Sequence, residues 1–89
     1  MIDGRVTILN RLGLHARATA KLVNVCKTFK ANVRLCFNDK CVDAKSIMGV
    51  MMLAATHGTE LQLSAEGEDE TEAFEALKAL FEDRFGERD

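Results

Sequence analysis

The sequence contains no proline, and no low-complexity or Pro/Ser-rich stretch interrupts it, so nothing marks a linker or a domain boundary. No apolar run approaches the ~20 residues that a membrane-spanning helix needs. The start, Met1-Ile2-Asp3-Gly4-Arg5, lacks a signal peptide's apolar stretch. The expectation is a single cytoplasmic domain over residues 1–89, inserted in no membrane. A basic excess is also missing: 12 Lys and Arg stand against 14 Asp and Glu, for a net charge of −2. That argues against a general nucleic-acid binder. Cysteine is scarce, with Cys26, Cys36 and Cys41 odd in number and no Cys-x-x-Cys pair. The count supports neither a metal site nor a disulfide framework, and the three read as small hydrophobes. Glycine-rich phosphate loops, paired catalytic carboxylates and nucleophilic triads are all lacking. An enzyme acting alone on a small molecule is therefore not expected, and no cofactor is implied.

What is present is an ordinary globular balance, 47% hydrophobic and 29% charged over 89 residues. Period-2 and period-3.6 segments alternate along it. Ile2 to Leu9 reads as a half-buried strand with Val6 and Ile8 inward. Ala16 to Phe29 reads as a helix with Ala18, Leu22, Val25, Cys26 and Phe29 on its core face. Val33, Leu35 and Phe37 mark a second strand, Asn38-Asp39 a two-residue turn, and Lys40 to Asp43 a third strand. That turn sets Cys36 opposite Cys41, on the face away from Leu35. The geometry permits a cross-strand disulfide, which a reducing cytoplasm disfavours. Ser46 is suited to cap a short helix over Ile47 to Ala55, which His57-Gly58 ends. Leu61, Leu63 and Ala65 mark a fourth strand. Asp69 and Glu72 have capping-box spacing before a last helix with Ala73, Phe74, Leu77, Leu80 and Phe81 as its stripe, and Gly86 stands where a helix stops. The order βαββαβα predicts an α+β open-faced sandwich: a four-stranded, mainly antiparallel sheet with three helices on one face. Strand order is left open.

Two places carry chemistry. If the first helix begins at Ala16, His15 is its N-cap and Arg17 lies in its first turn. Unpaired N–H groups and the helix dipole there favour an anion and disfavour a cation. That setting suits a neutral, nucleophilic imidazole, and Arg17 adds a guanidinium fork matched to phosphate oxygens. These residues describe a histidine able to accept a phosphoryl group, although an isolated histidine at a helix start is commonly a surface or capping residue. The second place is Ile47 to Ala55. Val50, Leu53 and Ala54 share one arc of its wheel, and Met48, Met51, Met52 and Ala55 share another. A short helix apolar all round is either fully buried or exposes a Met-rich patch suited to several partners. His57 reads as a solvated loop residue, and the acidic run Glu66 to Glu72 as a solvated loop and helix start.

Three stretches taken together resemble the HPr family, the histidine-containing phosphocarriers of the bacterial phosphotransferase system. They are Gly13-Leu14-His15-Ala16-Arg17 with Ala20-Lys21-Leu22-Val23, then Lys45-Ser46-Ile47-Met48-Gly49-Val50-Met51, and Ser64-Ala65-Glu66-Gly67-Glu68-Asp69-Glu70. The likeness runs from about Arg5 to Phe85. It implies the HPr-like fold and a carrier, not a stand-alone enzyme: His15 would take a phosphoryl group on Nδ1 from phospho-enzyme I and pass it to a histidine of an enzyme IIA domain. Arg17 and the N–H groups of Ala16 and Arg17 would hold the group. Ile47, Met48 and Met51, with Met52 beside them, would dock partners. Ser46 resembles the regulatory serine that HPr kinase/phosphorylase modifies in part of the family. The departure is Ala18, where the family commonly has proline. It should change the fold little and adds one N–H near the phosphate position. Two alternatives stay open: the related nitrogen-branch carrier, and a regulatory binding module using the Ile47–Met52 surface. A monomer is expected.

Overall fold

A computed structural model of the protein describes residues 1–87. Strand β1 spans Ile2–Thr7, helix α1 Ala16–Lys27, β2 Asn32–Phe37, β3 Lys40–Asp43, α2 Ile47–Met52, β4 Glu60–Glu66 and α3 Glu70–Glu82. A 3₁₀ turn over Arg84–Gly86 follows. The strands form one sheet in the order β1-β4-β2-β3, with each neighbouring pair antiparallel. The α+β open-faced sandwich expected from the element order is the fold observed. The late strand β4 takes the place between β1 and β2, and α1 crosses between those two.

Alternation decides which face of the sheet is covered. Val6, Val33, Leu35, Leu61, Leu63 and Ala65 are buried, and the register sets Val6 opposite Leu61 and Leu35 opposite Leu63. Leu22, Val23, Val50, Leu77, Phe81 and Phe85 close over them from the helices in one hydrophobic cluster. Arg5, Arg34, Gln62 and Glu66 alternate onto the opposite face and are exposed. Gly4 is the exception that packing explains. A Cβ there would come within 2.9 Å of the Phe74 ring, so the missing side chain is what lets α3 lie against β1.

Several local expectations are corrected. The core face of α1 is Ala18, Thr19, Leu22, Val23 and Cys26. Val25 and Phe29 only flank it, because α1 also packs on α2 and α3 and the buried stripe is correspondingly wider. Cys36 and Cys41 are joined in a disulfide. The derived register, Cys36 opposite Cys41 and Phe37 opposite Lys40, is the one observed, and it brings their Cα atoms to 4.0 Å on the open face. Asn38 accommodates the tight turn with φ +57°. Cys26 alone is free and buried, and burial pushes its thiol up to about 12.

The capping box of α3 does not form. The Asp69 carboxylate instead accepts from the Lys30 and Ala31 N–H groups at 2.9 and 2.8 Å, and Glu70 accepts from Gly67 N–H at 3.0 Å. Asp69 thus ties the start of α3 to the approach to β2. Gly86 does not end α3, which stops at Glu82. It closes the 3₁₀ turn that drives Phe85 into the core, edge-on to Phe81 at 5.0 Å.

Candidate functional site

The loop from β1 to α1 is built to present one side chain. Gly13 takes φ +70°, and a Cβ there would meet the Ala55 carbonyl at 2.7 Å. Only glycine passes this close. Leu14 N–H donates to that same carbonyl at 3.1 Å, and Leu14 is buried. The next residue, His15, must therefore stand at the surface. It is the N-cap of α1, in extended backbone with φ −74° and ψ 178°, as its position before Ala16 implied.

The two ring nitrogens of His15 have different partners. Arg17 N–H donates to Nδ1 at 3.2 Å. On the other side, Nε2 meets Oε2 of Glu87. A carboxylate only accepts, so Nε2 carries the proton and Nδ1 keeps its lone pair. The His15 side chain remains 28% exposed while that of Glu87 is 15% exposed. Ala16 and Arg17 open the helix and both are exposed; the N–H of Ala16 has no intrahelical acceptor by the geometry of an α-helix. His15, Ala16 and Arg17 are thus brought together at one helix mouth.

Behind them lies a support that the sequence did not reveal. Asn10 is fully buried. Its amide nitrogen donates to Gly13 O at 2.7 Å and to Glu87 Oε1 at 3.1 Å, which uses both hydrogens, and its Oδ1 has no partner among the described residues. His57 is exposed as expected, yet its Nδ1–H also donates to the Asn10 carbonyl at 3.3 Å. Glu87 is held from its own side: its N–H donates to Arg84 O at 3.0 Å, and Lys21 Nζ donates to Phe85 O at 2.7 Å. Contacts across 72 and 77 residues leave no periodic signal. Neither Asn10 nor Glu87 is singled out by the sequence.

The second candidate region packs against α1. Ser46 caps α2, its Oγ accepting Gly49 N–H at 3.0 Å. Ile47, Met48, Met51 and Met52 are 47%, 75%, 43% and 70% exposed, whereas Val50 and Leu53 are buried. The Met-rich arc is therefore a surface patch. The helix is shorter than its pattern suggested, ending at Met52. Ala54 at φ +51° turns the chain away, which reverses the expected roles: Ala54 is exposed and Ala55 buried. The exposed Leu12, near His15 in sequence, adds apolar surface that the periodicity did not flag. Among the described residues no group of His, Cys, Asp and Glu is arranged to hold a metal ion, and no helix is long and apolar enough to cross a membrane.

Comparison with known proteins is consistent along the chain. The family model described as the PTS HPr component phosphorylation site matches residues 2–83, a stretch that ends before Glu87. Phosphocarrier protein HPr of Xylella fastidiosa is 52% identical over 98% of both chains, and that of Pseudomonas aeruginosa is 55% identical over 92% of both. Among solved structures, HPr-C-His from Thermoanaerobacter tengcongensis superposes with a TM-score of 0.96 at 43% identity over 99% of both chains. A histidine offered at a helix mouth, the fold that carries it and these relatives agree: the chain belongs to the HPr family of phosphocarrier proteins of the phosphotransferase system.

Proposed function

We propose that this protein relays a phosphoryl group through His15, receiving it from phospho-enzyme I and delivering it to enzyme IIA domains. The observation that carries the assignment is the His15 ring itself, part-exposed at the mouth of α1 with Nδ1 unprotonated and one N–H of the first turn already directed at it. On phosphoryl transfer the Nδ1 lone pair attacks phosphorus. The Nδ1–P bond forms as the donor's bond to phosphorus breaks, its electron pair leaves with the donor, and the Nε2 proton stays where it is. The incoming group displaces the long Arg17 N–H contact from Nδ1. A phosphoryl oxygen then takes that N–H, with the N–H of Ala16 and the guanidinium of Arg17 as further donors. Transfer of this kind needs alignment and charge stabilisation more than acid–base chemistry, so a sparse surface site suffices.

The exposed Ile47, Met48, Met51 and Met52 serve as the docking patch. Methionine side chains adapt their shape at little cost, which suits a carrier that must meet both a donor and several acceptors. Ser46 stands at the edge of this patch with its hydroxyl on the α2 cap. Phosphorylation there, by an HPr kinase/phosphorylase, would add about two negative charges where the helix tolerates them but a docking partner does not. It would thereby regulate the relay.

Incubation with phosphoenolpyruvate and enzyme I, read by intact mass, tests the assignment. One acid-labile phosphate is expected on the wild type and none on His15→Ala. An unlabelled wild type, under conditions that label another HPr, would leave only a binding role for the Ile47–Met52 surface.

A further inference from the structure

Among the described residues, Glu87 brings an ionisable group, its carboxylate, onto the reacting ring, and phosphoryl relay as described above makes no use of it. We infer that Glu87 is a positioning residue for the relay: it fixes the Nε2–H tautomer of His15 and balances the charge the ring gains on phosphorylation. The inference rests on the carrier reading of His15.

Three observations carry it. First, Glu87 is locked in place. One carboxylate oxygen receives an N–H of the buried Asn10 amide and the other faces His15 Nε2. The backbone just before it is anchored by Lys21 on the Phe85 carbonyl and by the fully buried Phe85 ring. Second, Asn10 cannot turn over to present its oxygen, because both its N–H bonds have acceptors. The orientation of the whole chain Gly13–Asn10–Glu87–His15 is therefore determined. Third, the sense of that chain is the useful one. A neutral imidazole that donates from Nε2 exposes a lone pair at Nδ1, toward the helix mouth.

The chemistry follows from the electron count. When Nδ1 bonds phosphorus and Nε2 keeps its proton, the ring becomes an imidazolium. A carboxylate hydrogen-bonded to Nε2–H then interacts more strongly with the product than with the free ring. The same contact restrains rotation of the ring, so Nδ1 meets each partner in one direction.

Two substitutions separate this role from a merely structural one. Glu87→Ala removes tautomer control and charge together, and labelling by phospho-enzyme I should slow roughly ten-fold, the worth of one charge-assisted hydrogen bond. Glu87→Gln is the sharper case. Its single oxygen is claimed by the Asn10 N–H, which turns its amide hydrogens toward His15 Nε2 and drives the ring proton to Nδ1. Labelling should slow at least as much as in Glu87→Ala. Long-range ¹H–¹⁵N spectra of His15 should show Nε2–H in the wild type and a shift toward Nδ1–H in the Gln variant, which keeps an acceptor for Asn10 and should have a urea midpoint close to wild type. A Gln variant with wild-type ring spectra, or with a wild-type labelling rate, overturns the inference, while labelling of the wild type leaves the carrier reading intact. If the wild type itself goes unlabelled the carrier reading fails, and the ring spectra still decide whether Glu87 sets the tautomer.

Discussion

The mouths of α1 and α2 are built alike and serve different ends. In each the capping side chain accepts a backbone N–H from the first turn: His15 Nδ1 from Arg17 at 3.2 Å, and Ser46 Oγ from Gly49 at 3.0 Å. Serine is among the strongly favoured caps and histidine is not, so the first contact is the long, weakly stabilising one. It is also the one that a phosphoryl group can displace without unravelling a helix. The serine cap holds a helix of six residues, too short to persist without it and its packing. A phosphoacceptor and a helix support can thus occupy the same structural position, and what separates them is how much stability the cap supplies.

The largest effect expected from breaking this pairing comes from charge at Ser46. Ser46→Asp keeps a capping oxygen and should fold as the wild type does, while a negative charge enters the proposed docking patch. Like-charge or unpaired charge in an interface costs several kcal/mol, so labelling of His15 by phospho-enzyme I should fall by ten-fold or more at limiting enzyme I. A rate equal to wild type would mean that this edge of α2 is not in the docking surface. Next in size is Gly13→Ala. It forces a side chain into left-handed backbone and against the Ala55 carbonyl, and the loss should be about 2–3 kcal/mol by urea denaturation. The displaced loop should also slow labelling, since Gly13 O orients Asn10 behind His15.

A smaller contrast sharpens the comparison directly. Ser46→Ala should cost about 1 kcal/mol through the lost cap, whereas His15→Ala, which is expected to abolish labelling, should change stability by less than about 0.5 kcal/mol. Equal losses in the two would show that both caps are structural and would weaken the distinction drawn between them.

Legibility in the sequence followed distance along the chain. The helix-mouth histidine was readable because Gly13, Leu14 and Ala16 lie beside it and the apolar pattern of α1 starts at once. The hairpin register, and with it the meeting of Cys36 and Cys41, was readable from the two-residue turn. What misled was the compartment argument against the disulfide, which says nothing about geometry. Strand order was not readable, because hydrophobic alternation in β4 does not say between which strands it inserts. Ala54 and Ala55 exchanged places because helical periodicity was extended past Met52, where the backbone had already left the helix. Asn10 and Glu87 were beyond reach for a different reason: a buried amide and a carboxylate in the tail become partners only when Phe85 docks in the core.

The third helix mouth supplies the smallest effect and completes the series. Asp69 precedes α3 but its side chain caps nothing in that helix. Its carboxylate is held below the usual range by the N–H of Lys30 first, and also by that of Ala31. Glu70 is likewise lowered, by the N–H of Gly67 and then by the terminal amine, 3.2 Å from its Oε2. A carboxyl whose folded-state value lies below its unfolded one contributes stability that is complete above the unfolded value, near ~4. That contribution is lost as pH falls through the folded value. The wild-type urea midpoint should therefore decline as the solution is acidified below about pH 4. Asp69→Asn should start lower at neutral pH and decline less steeply over that window, with Glu70 keeping part of the slope. If the two curves run parallel, Asp69 is not a pH-dependent tie between α3 and the approach to β2.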